Sequence, residues 1–420
     1  MTWGAIGALI AFALVLVGLN LIPQSPQLAH DLHNVSPVES GQFRTELSNL
    51  LGPPVVDGNA VQAFNNGDEI FPAMLEAIRG ARKSINFETY IYWSGEVSRR
   101  FVEALGERAR AGIPVHVLVD WVGASRMDEG VVEELRAAGV RFEKFHPLTW
   151  YTLDRINNRT HRKLLIVDGR VGFTGGVGIA DEWDGNADRP DRWRDMQFRV
   201  EGPVAAQFQA AFEDNWITST GEVSLGPDYY PPPEQAGGSA AQLFSSSPDG
   251  GSENMQLMYL MAINGARRSI DLEAAYFLPD ELTLRALQAA LTRGVKVRIV
   301  VPGPHGDSPW VATASQAQWG AVLQHGARLF RFQPSMFHTK MMIVDDYLTI
   351  VGSANFDNRS FRLNDESNLN VYDHEFGARM RKVVDADIAR SREVTLEEWR
   401  RRGWFRRATE WLAALPGSQF

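Results

Sequence analysis

The sequence predicts an α/β protein built from a duplicated domain whose two copies pack face to face, preceded by an N-terminal transmembrane helix. Strand-like and helix-like segments alternate along the chain, which favours a mainly parallel or mixed sheet covered by helices. A segment also recurs, as AIRGARKSINFE at residues 77–88 and AINGARRSIDLE at 262–273. Finally, the chain begins with a long apolar run.

The N-terminal segment has the length and composition of a membrane span. Residues 1–28 carry no charged side chain, and residues 3–22 supply about the 20 apolar residues that cross a bilayer as a helix. A cleaved signal peptide is the alternative, but it would require a basic n-region and a small-residue cleavage site, and neither is convincing. We therefore expect residues 1–22 to be an uncleaved anchor. A connector over 23–60 follows, with one helical candidate, Gly41–Leu51.

The elements of the first half follow in a regular order. Its pattern predicts a helix over 67–79, a strand over 84–92, a helix over 97–111, a strand over 115–120, a helix over 128–138 and a strand over 140–145. The second half repeats this order, since RAGIPVHVLVD at 110–120 has its counterpart in TRGVKVRIVV at 292–301. The repeat is far too long for a solenoid and indicates two domains that pack face to face.

Composition marks the boundaries between the parts. Residues 221–240 are rich in Pro and Gly and are typical of a linker, which separates a first half over 61–220 from a second over 241–395. An amphipathic C-terminal segment, residues 396–420, mixes Trp and Leu with Arg. It is either an ordinary helix on the body or an interfacial helix at anionic lipid, and the anchor at the other end of the chain favours the lipid.

Charge and composition exclude several classes of function. The 420 residues include no cysteine, so disulfides, thiolate metal sites and cysteine nucleophiles are ruled out. A net charge of −9 argues against a nucleic-acid partner, because phosphate binding usually leaves a basic footprint. Apart from two histidines discussed below, the histidines form no cluster with the spacing of metal ligands, and we predict no metal site.

Two stretches with identical spacing carry the candidate chemistry. In both, four residues separate a Lys from an Asp, and six separate that Asp from a pair of small residues. THRKLLIVDGRVGFTGG provides His161, Lys163, Asp168, Gly175 and Gly176, and HTKMMIVDDYLTIVGSAN provides His338, Lys340, Asp345, Gly352, Ser353 and Asn355. A single His-x-Lys would usually be a solvated strand face, but a doubled one in a duplicated fold indicates a site.

The residue types in these stretches suit a phosphate. Residues i and i+2 of a strand share a face, so each His lies beside its Lys. The Lys can hold phosphate oxygens while the imidazole attacks phosphorus or moves a proton. We include Asp168 and Asp345 in the catalytic set as residues that fix the loop or a basic partner and do not attack substrate.

Other residues are candidates for holding the phosphate or the histidines. Gly175, Gly176 and Ser353 would let the backbone approach a phosphate, to which Asn355 offers an amide and Arg159 a further cation. A nucleophilic imidazole also needs its distal nitrogen held by a carboxylate. Two acids that open apparent strands, Asp195 and Glu366, are candidates for this role. Glu88 and Glu273 match across the repeat, and for them a structural role is favoured over partnership with basic residues near the site.

At these residues the chain resembles the phospholipase D superfamily, whose signature is a doubled H-x-K-x4-D-x6-G-[GS]. The resemblance runs from about residue 60 to 400 and is greatest to the bacterial cardiolipin synthases. It is carried by NRTHRKLLIVDGRVGFTGG, ADEW, RWRD and HTKMMIVDDYLTIVGSANFDNRSFRLNDE. One departure is that the family often has Asn three residues after the first Gly of the pair. Asn355 meets this in the second half, whereas the first half has Gly178.

The resemblance implies a fold, a duplicated phospholipase D-like domain of two α/β sandwich halves with a shared active site, and also a mechanism and a substrate. One histidine would form a covalent phosphohistidine while the other protonates the leaving alcohol and later deprotonates the acceptor, with no metal or other cofactor. By position, His161 would be the nucleophile and His338 the general acid/base. Two phosphatidylglycerol molecules would give cardiolipin and glycerol at the bacterial cell (inner) membrane.

Alternatives to phosphatidyl transfer stay open from the sequence. A phospholipase D-type hydrolase would release phosphatidic acid, since water and a lipid alcohol cannot be told apart as acceptors. A nuclease or other phosphodiesterase is disfavoured by the net charge and the apolar N-terminus, so we expect phospholipid and membrane, and no nucleic acid, as partners. A non-catalytic lipid-binding protein is disfavoured because both stretches are intact.

Overall fold

The computed structural model describes Gly7, Leu28 and residues 30–147, 158–248 and 255–414. The predicted anchor over 1–22 lies outside these residues apart from Gly7. Among the helices of the described part, none is both long and apolar enough to cross a membrane.

In the described part of the chain, both halves contribute to one mixed sheet. The first half adds β1 (Val56–Asn65), β2 (Ile85–Thr89), β3 (Val115–Asp120), β4 (Arg141–Phe145), β5 (Arg159–Thr160), β6 (Leu164–Val167), β7 (Val171–Gly175) and β8 (Met196–Glu201). The second adds β9 (Ser239–Ser246), β10 (Ser269–Ala274), β12 (Lys296–Pro302), β13 (Arg328–Phe332), β14 (Lys340–Val344), β15 (Leu348–Gly352), β17 (Asn364–Tyr372) and β18 (Ser391–Val394). A separate ribbon pairs β11 (Phe277–Leu278) with β16 (Phe356–Asp357).

The strand order shows the duplication. It runs β4-β3-β2-β6-β7-β8-β1 in the first half and β13-β12-β10-β14-β15-β17-β9 in the second, with β18 beyond β13. In both halves the first three of these strands are parallel and the next pairings are antiparallel. The halves join where β1 pairs antiparallel with β9. The predicted α/β fold of two similar halves is therefore confirmed.

Helices cover the faces of this sheet. They are α1 (Gly41–Leu51), α2 (Asn66–Gly80), α3 (Glu96–Arg110), α4 (Glu129–Ala137), α5 (Ala205–Thr220), α6 (Met255–Gly265), α7 (Glu281–Thr292), α8 (Pro309–Leu323), α9 (Asn358–Arg362), α10 (His374–Ala389), α11 (Leu396–Arg400) and α12 (Trp404–Ala414). The predicted helices of the first half are confirmed to within about a turn, which is the usual uncertainty of helix ends.

The helix α1 has the predicted bounds but an unexpected position. Its N-terminus is capped by Ser40, whose hydroxyl accepts a hydrogen bond from the Phe43 N–H at 3.1 Å. Phe43, Leu47 and Leu51 are buried in the core of the second half, although α1 precedes the first half in sequence. The predicted connector over 23–60 thus contains a helix that belongs to the second half's core, and β1 begins inside it.

Three hydrophobic cores hold the layers together. One lies between the first half's sheet and α2, α3 and α4, and the second is its counterpart in the other half. A third lies on the opposite face and includes side chains of both halves, among them Phe198, Trp216, Leu243 and Phe337. Because this core includes both histidine-bearing segments, packing fixes one half relative to the other.

The C-terminal segment forms two helices instead of the single one expected. Thr395 caps α11, and Arg401–Gly403 separates it from α12, in keeping with the poor helix propensity of Gly403. A buried ion pair, Arg402 Nη1 to Glu410 Oε2 at 2.8 Å, holds this connection against α12. The predicted linker over 221–240 follows α5 and leads into β9, and the domain bounds around it stay a prediction.

Candidate active site

The two histidine segments meet because each pairs with the other half. β5, just before His161, runs parallel to β17, and the His161 N–H donates to the Asp365 carbonyl at 2.8 Å. In the same way Arg194 forms a bridge with Phe337, and the His338 N–H donates to the Arg194 carbonyl at 2.8 Å. These backbone hydrogen bonds bring one half's histidine beside the other half's acid.

Glu366 holds His161. Both of its carboxylate oxygens lie 3.0 Å from His161 Nδ1, and the Ser353 hydroxyl donates to Oε2 at 2.5 Å. The carboxylate is fully buried and His161 is 9% exposed. A proton on Nδ1 donated to this carboxylate leaves Nε2 with a free lone pair, which is the tautomer that a nucleophile needs.

Asp195 holds His338 in an equivalent way. Its Oδ2 lies 2.7 Å from His338 Nδ1 and accepts the Trp183 indole N–H at 2.9 Å, while Oδ1 accepts the Met196 N–H at 2.8 Å. Trp183 and Trp193 lie against the His338 ring, both with ring centroids at 5.4 Å. The sequence proposed Asp195 and Glu366 as orienting acids, and the structure adds that each serves the histidine of the opposite half.

The electrostatics favour a neutral imidazole beside an ionised acid. Burial lowers the pKa of His161 to about 4, against the opposing effect of Glu366. Burial alone would raise the pKa of Glu366, but His161, Lys163 and the Ser353 hydroxyl together lower it to about 2. The pKa of His338 is lowered by burial and by Lys340, and Asp195 opposes this shift. In the empty site, each pair is therefore favoured as imidazole and carboxylate.

The two lysines lie close to their histidines, and burial weakens the hold of both on their protons. Lys163 Nζ donates to the His161 carbonyl at 2.8 Å, and Lys340 Nζ donates to the His338 carbonyl at 2.6 Å. Burial lowers the pKa of Lys163 to about 7 and that of Lys340 to about 8, and the nearby carboxylates oppose both shifts. A bound phosphate anion would restore both ammonium charges.

Asp168 and Asp345 lie away from the histidines, at the opposite end of their strands. Each occupies the first central position of a β-turn within a three-residue connection between strands, with φ of 56° and 62° at Asp168 and Gly169 and 55° and 54° at Asp345 and Asp346. Positive φ at both central positions defines the type I′ turn that favours Asp and Gly. The sequence placed both aspartates in the catalytic set. In the structure they fix loops, as was also expected, and do not lie beside the histidines.

The carboxylates of these turns bind the recurring ARKS/ARRS segment. Asp168 accepts the backbone N–H groups of Arg82, Lys83 and Ser84 at 2.7–3.1 Å. Asp345 accepts those of the corresponding residues in the second half, Arg267, Arg268 and Ser269, at 2.7–2.9 Å. The two repeated motifs of each half are thus physically joined, and each aspartate fixes the loop that leads into the first strand of the parallel group, β2 or β10.

The small residues of the Gly pairs make room for the orienting acids. A Cβ on Gly176 would lie 2.2 Å from Asp195 Oδ1, and one on Gly175 would lie 2.4 Å from the Met196 carbonyl. Ser353, at the position of Gly176 in the second half, reaches Glu366 with its hydroxyl. These three residues, proposed to bind phosphate, lie behind the histidines and do not line the cavity described next, which corrects that expectation.

A cavity of about 620 Å³ opens in front of the histidines between the halves. Its walls include His161, Lys163 and His338, together with two of the proposed phosphate ligands, Arg159 and Asn355. Gly178, at the position of Asn355 in the first half, has no room for a side chain, because a Cβ there would lie 2.8 Å from Ile91 Cβ. The first half therefore has Gly where the second half has Asn355 because neighbouring side chains leave no space for a larger residue.

Sequence reasoning missed several residues that line this cavity. They are Tyr90, Trp93, Arg126, Glu182, Trp193, Tyr276, Asp307, Arg359 and Asn364. Tyr90 lies with its ring centroid 5.1 Å from that of His161. Many of these residues follow the carboxyl ends of parallel strands, where ligands of α/β sheets commonly bind, and that position was the available signal.

The acids matched across the repeat support the site from behind. Glu88 is buried and accepts the Thr160 hydroxyl at 2.5 Å and the Asn215 amide at 2.7 Å, so it holds the residue before His161. Burial, reinforced by Asp387, raises the pKa of Glu273 well above its usual value. Neither Glu88 nor Glu273 lines the cavity, in keeping with the structural role that the sequence favoured for both. Within the described ranges, no three His, Asp or Glu side chains are grouped as they would be around a metal ion.

Comparison with known proteins assigns the family. The model of the cardiolipin synthase, phospholipase D-like domain matches residues 74–216 and 259–388, which is more than half of the chain. The chain belongs to this family. Among its relatives, cardiolipin synthase A of Pseudomonas fluorescens is 35% identical over 350 residues, covering 83% of this chain and 72% of the relative. Cardiolipin synthase A of Pseudomonas syringae pv. syringae is 35% identical over 346 residues, covering 82% and 72%.

Solved structures support the same fold at lower sequence identity. The crystal structure of a phosphatidylserine synthase from Haemophilus influenzae matches 90% of this chain and 100% of its own, with a TM-score of 0.67 and 14% identity. A polyphosphate kinase from Porphyromonas gingivalis matches 89% of this chain and 53% of its own, with a TM-score of 0.56 and 12% identity. At such identities the likeness concerns the fold alone. The phospholipase D-like fold predicted from the doubled motif is thereby confirmed.

Proposed function

We propose that this member of the cardiolipin synthase family transfers a phosphatidyl group between two phosphatidylglycerol molecules, releasing glycerol and forming cardiolipin. The observation that carries the proposal is the pair of carboxylate-held imidazoles, His161 on Glu366 and His338 on Asp195, which face one cavity from opposite halves. Two such groups supply a nucleophile and an acid/base, which transfer through a covalent intermediate requires.

In the first step, the phosphate of one phosphatidylglycerol would lie against Lys163, Lys340 and Arg159. Nε2 of His161 attacks phosphorus, and the bond from phosphorus to the glycerol oxygen breaks. His338, in its imidazolium form, gives its proton to that oxygen. Although burial and Lys340 lower the pKa of His338, an entering phosphate anion offsets the lysines and favours this protonated form.

In the second step, a hydroxyl of another phosphatidylglycerol replaces the departed glycerol. His338, now neutral, takes the hydroxyl proton as the oxygen attacks phosphorus, and the bond from phosphorus to His161 Nε2 breaks. Both histidines return to their starting states. Splitting the transfer in this way keeps each step a displacement on a phosphate held in place. Water in place of the alcohol would give phosphatidic acid.

The chemistry has to take place at a lipid surface, and we propose two contacts with it. The apolar residues 3–22 would anchor the chain in the cell membrane. The helix α12 would lie at the interface, because Trp404, Phe405 and Trp411 are 80%, 68% and 62% exposed. Residues 396–414 carry five arginines against three glutamates in a chain of net charge −9, which suits anionic lipid.

The purified full-length chain, given phosphatidylglycerol in mixed micelles, tests this function by mass spectrometry of the products. Cardiolipin and glycerol in equal amounts are expected, and phosphatidic acid as the main product would instead assign a hydrolase. His161→Ala and His338→Ala should each abolish turnover. Substantial cardiolipin formation by either variant would contradict the paired-histidine mechanism.

A further inference from the structure

The mechanism leaves Asp307, a carboxylate of the cavity, without a role. Asp307 lies in the loop between β12 and α8 and lines the cavity with His338, Tyr276 and Asn355. Its Oδ2 accepts a hydrogen bond from the Tyr276 hydroxyl. Tyr276 itself is partly buried and packs beside Leu278, Val311 and Ala413, so its ring is held from behind. The carboxylate is therefore fixed in direction while its outer face is open to the cavity.

Asp307 acts on the His338 side of the site. Its negative charge contributes to raising the pKa values of His338 and Lys340, although burial leaves both lowered overall. Burial has the largest effect on the pKa values of His161 and Lys163, and the charged groups that act on them are Glu366, the two lysines, Asp195 and Asp120. Asp307 therefore lines the cavity with His338, the histidine to which we assign the alcohol's proton, and acts on its charge.

A carboxylate at this position disfavours a phosphate and favours a hydroxyl as its ligand. Like charges near the phosphate would weaken its binding, whereas a carboxylate accepts hydrogen bonds strongly from neutral O–H donors. The glycerol headgroup of phosphatidylglycerol offers such donors, and its reacting oxygen must lie at His338. A hydroxyl on the neighbouring carbon then falls on the side of the cavity where Asp307 lies.

We propose that Asp307, held by Tyr276, forms a subsite for vicinal diols, accepting a hydrogen bond from the hydroxyl next to the reacting one. The inference rests on the proposed function and on its assignment of the alcohol to His338. The bound hydroxyl keeps its proton throughout, while the reacting hydroxyl gives its proton to His338 as described above. Both the leaving glycerol and the incoming phosphatidylglycerol carry this arrangement, so one subsite serves both steps.

Isomeric small alcohols test the subsite without changing the donor. Full-length enzyme in phosphatidylglycerol micelles is given equal amounts of 1,2-propanediol and 1,3-propanediol, and the two phosphatidyl-diol products are separated and counted. The two acceptors have the same composition and number of hydroxyls, but only the first is vicinal. Ethanolamine is run in parallel, because an ammonium is the other group that a carboxylate would attract.

The wild type should prefer the 1,2-isomer by about 10-fold. This is the lower end of the range for a hydrogen bond to a charged group, because Asp307 is exposed to solvent. Asp307→Ala should abolish the preference, and Asp307→Asn and Tyr276→Phe should reduce it. Glu182→Gln removes one negative charge from the same cavity and is the matched control, with the preference retained.

The outcomes separate this inference from the function on which it rests. A wild type that forms only phosphatidic acid would refute the proposed transfer itself. A wild type that forms cardiolipin but shows no preference between the isomers, or a preference that survives Asp307→Ala, would refute the subsite alone. An equal loss in Glu182→Gln would assign the effect to the cavity's overall charge and overturn the subsite. Ethanolamine preferred over 1,2-propanediol in an Asp307-dependent way would assign the subsite to an ammonium and overturn the diol.

Discussion

Replacing Glu366 by Gln isolates what this carboxylate does for His161. Both carboxylate oxygens lie 3.0 Å from Nδ1, and the side chain is fully buried, so water cannot take its place. Gln has nearly the same size, but its amide nitrogen can donate a hydrogen bond to Nδ1. The ring proton then moves to Nε2, and the atom that faces the cavity loses its free lone pair.

The expected loss follows from this change of tautomer. In the Ser-His-Asp triad, the corresponding Asp→Asn change leaves the geometry intact and lowers kcat by about 10⁴-fold. Ser353 can still donate a hydrogen bond to the side-chain oxygen that Glu366→Gln retains, so we expect the fold to persist and kcat to fall by about 10³- to 10⁴-fold. That factor corresponds to ~4–5 kcal/mol of barrier.

The assay separates formation of the phosphoenzyme from its breakdown. A phosphatidyl-p-nitrophenol donor, whose leaving group needs no proton, is mixed with excess enzyme, and p-nitrophenol release is followed in a single turnover. Glu366→Gln should slow this release by the full factor, while the matched variant Asp195→Asn, which acts on His338, should release p-nitrophenol at close to the wild-type rate and then accumulate phosphoenzyme. The reverse pattern would exchange the roles of the two histidines. A loss below about tenfold in Glu366→Gln would refute the tautomer argument.

Three further predictions follow from the same geometry. Asp345→Ala leaves three backbone N–H groups without their acceptor and should lower the free energy of unfolding, measured by urea titration, by about 2–4 kcal/mol. Stability should be affected more than kcat. A large loss of kcat at unchanged stability would contradict the turn assignment. The pKa values of Lys163 and Lys340 are lowered to about 7 and about 8, so kcat/KM should fall as the pH rises from about 7 and the ammonium groups lose their protons. A flat profile to about pH 9.5 would contradict this. Trp404→Ser combined with Trp411→Ser should raise KM about tenfold for phosphatidylglycerol vesicles but not for a short-chain soluble analogue; equal effects on both would argue against the interfacial helix.

Local sequence patterns predicted much of the fold because they are set by nearest neighbours. The helix α1 has the expected bounds since Ser40 caps it and its apolar residues recur at helical spacing. Its docking against the second half was not predictable in this way, because nothing in Gly41–Leu51 specifies which of two similar cores its apolar face will bury. The break between α11 and α12 was missed, although Gly403 was its signal.

The roles of the small residues show a similar limit. From spacing alone, Gly176 and Ser353 fall where a backbone would approach a phosphate. In the structure a side chain at Gly176 would collide with Asp195, and the Ser353 hydroxyl binds Glu366. Asp168 falls at a turn in the sequence, but its three backbone partners lie at residues 82–84 and become visible only in three dimensions.

By itself, the sequence determined the reactive groups and their spacing: two histidines, each with a lysine two residues on, just before or at the start of a strand, in a duplicated α/β chain. Those features depend on strand periodicity and turn chemistry, which act over a few residues. The tertiary structure decided which acid holds which histidine, because those contacts span 205 residues between His161 and Glu366 and 143 between Asp195 and His338. Each histidine segment pairs with the segment of the opposite half that carries the orienting acid. This pairing places each histidine beside the acid of the other half, so that the two repeats form one site.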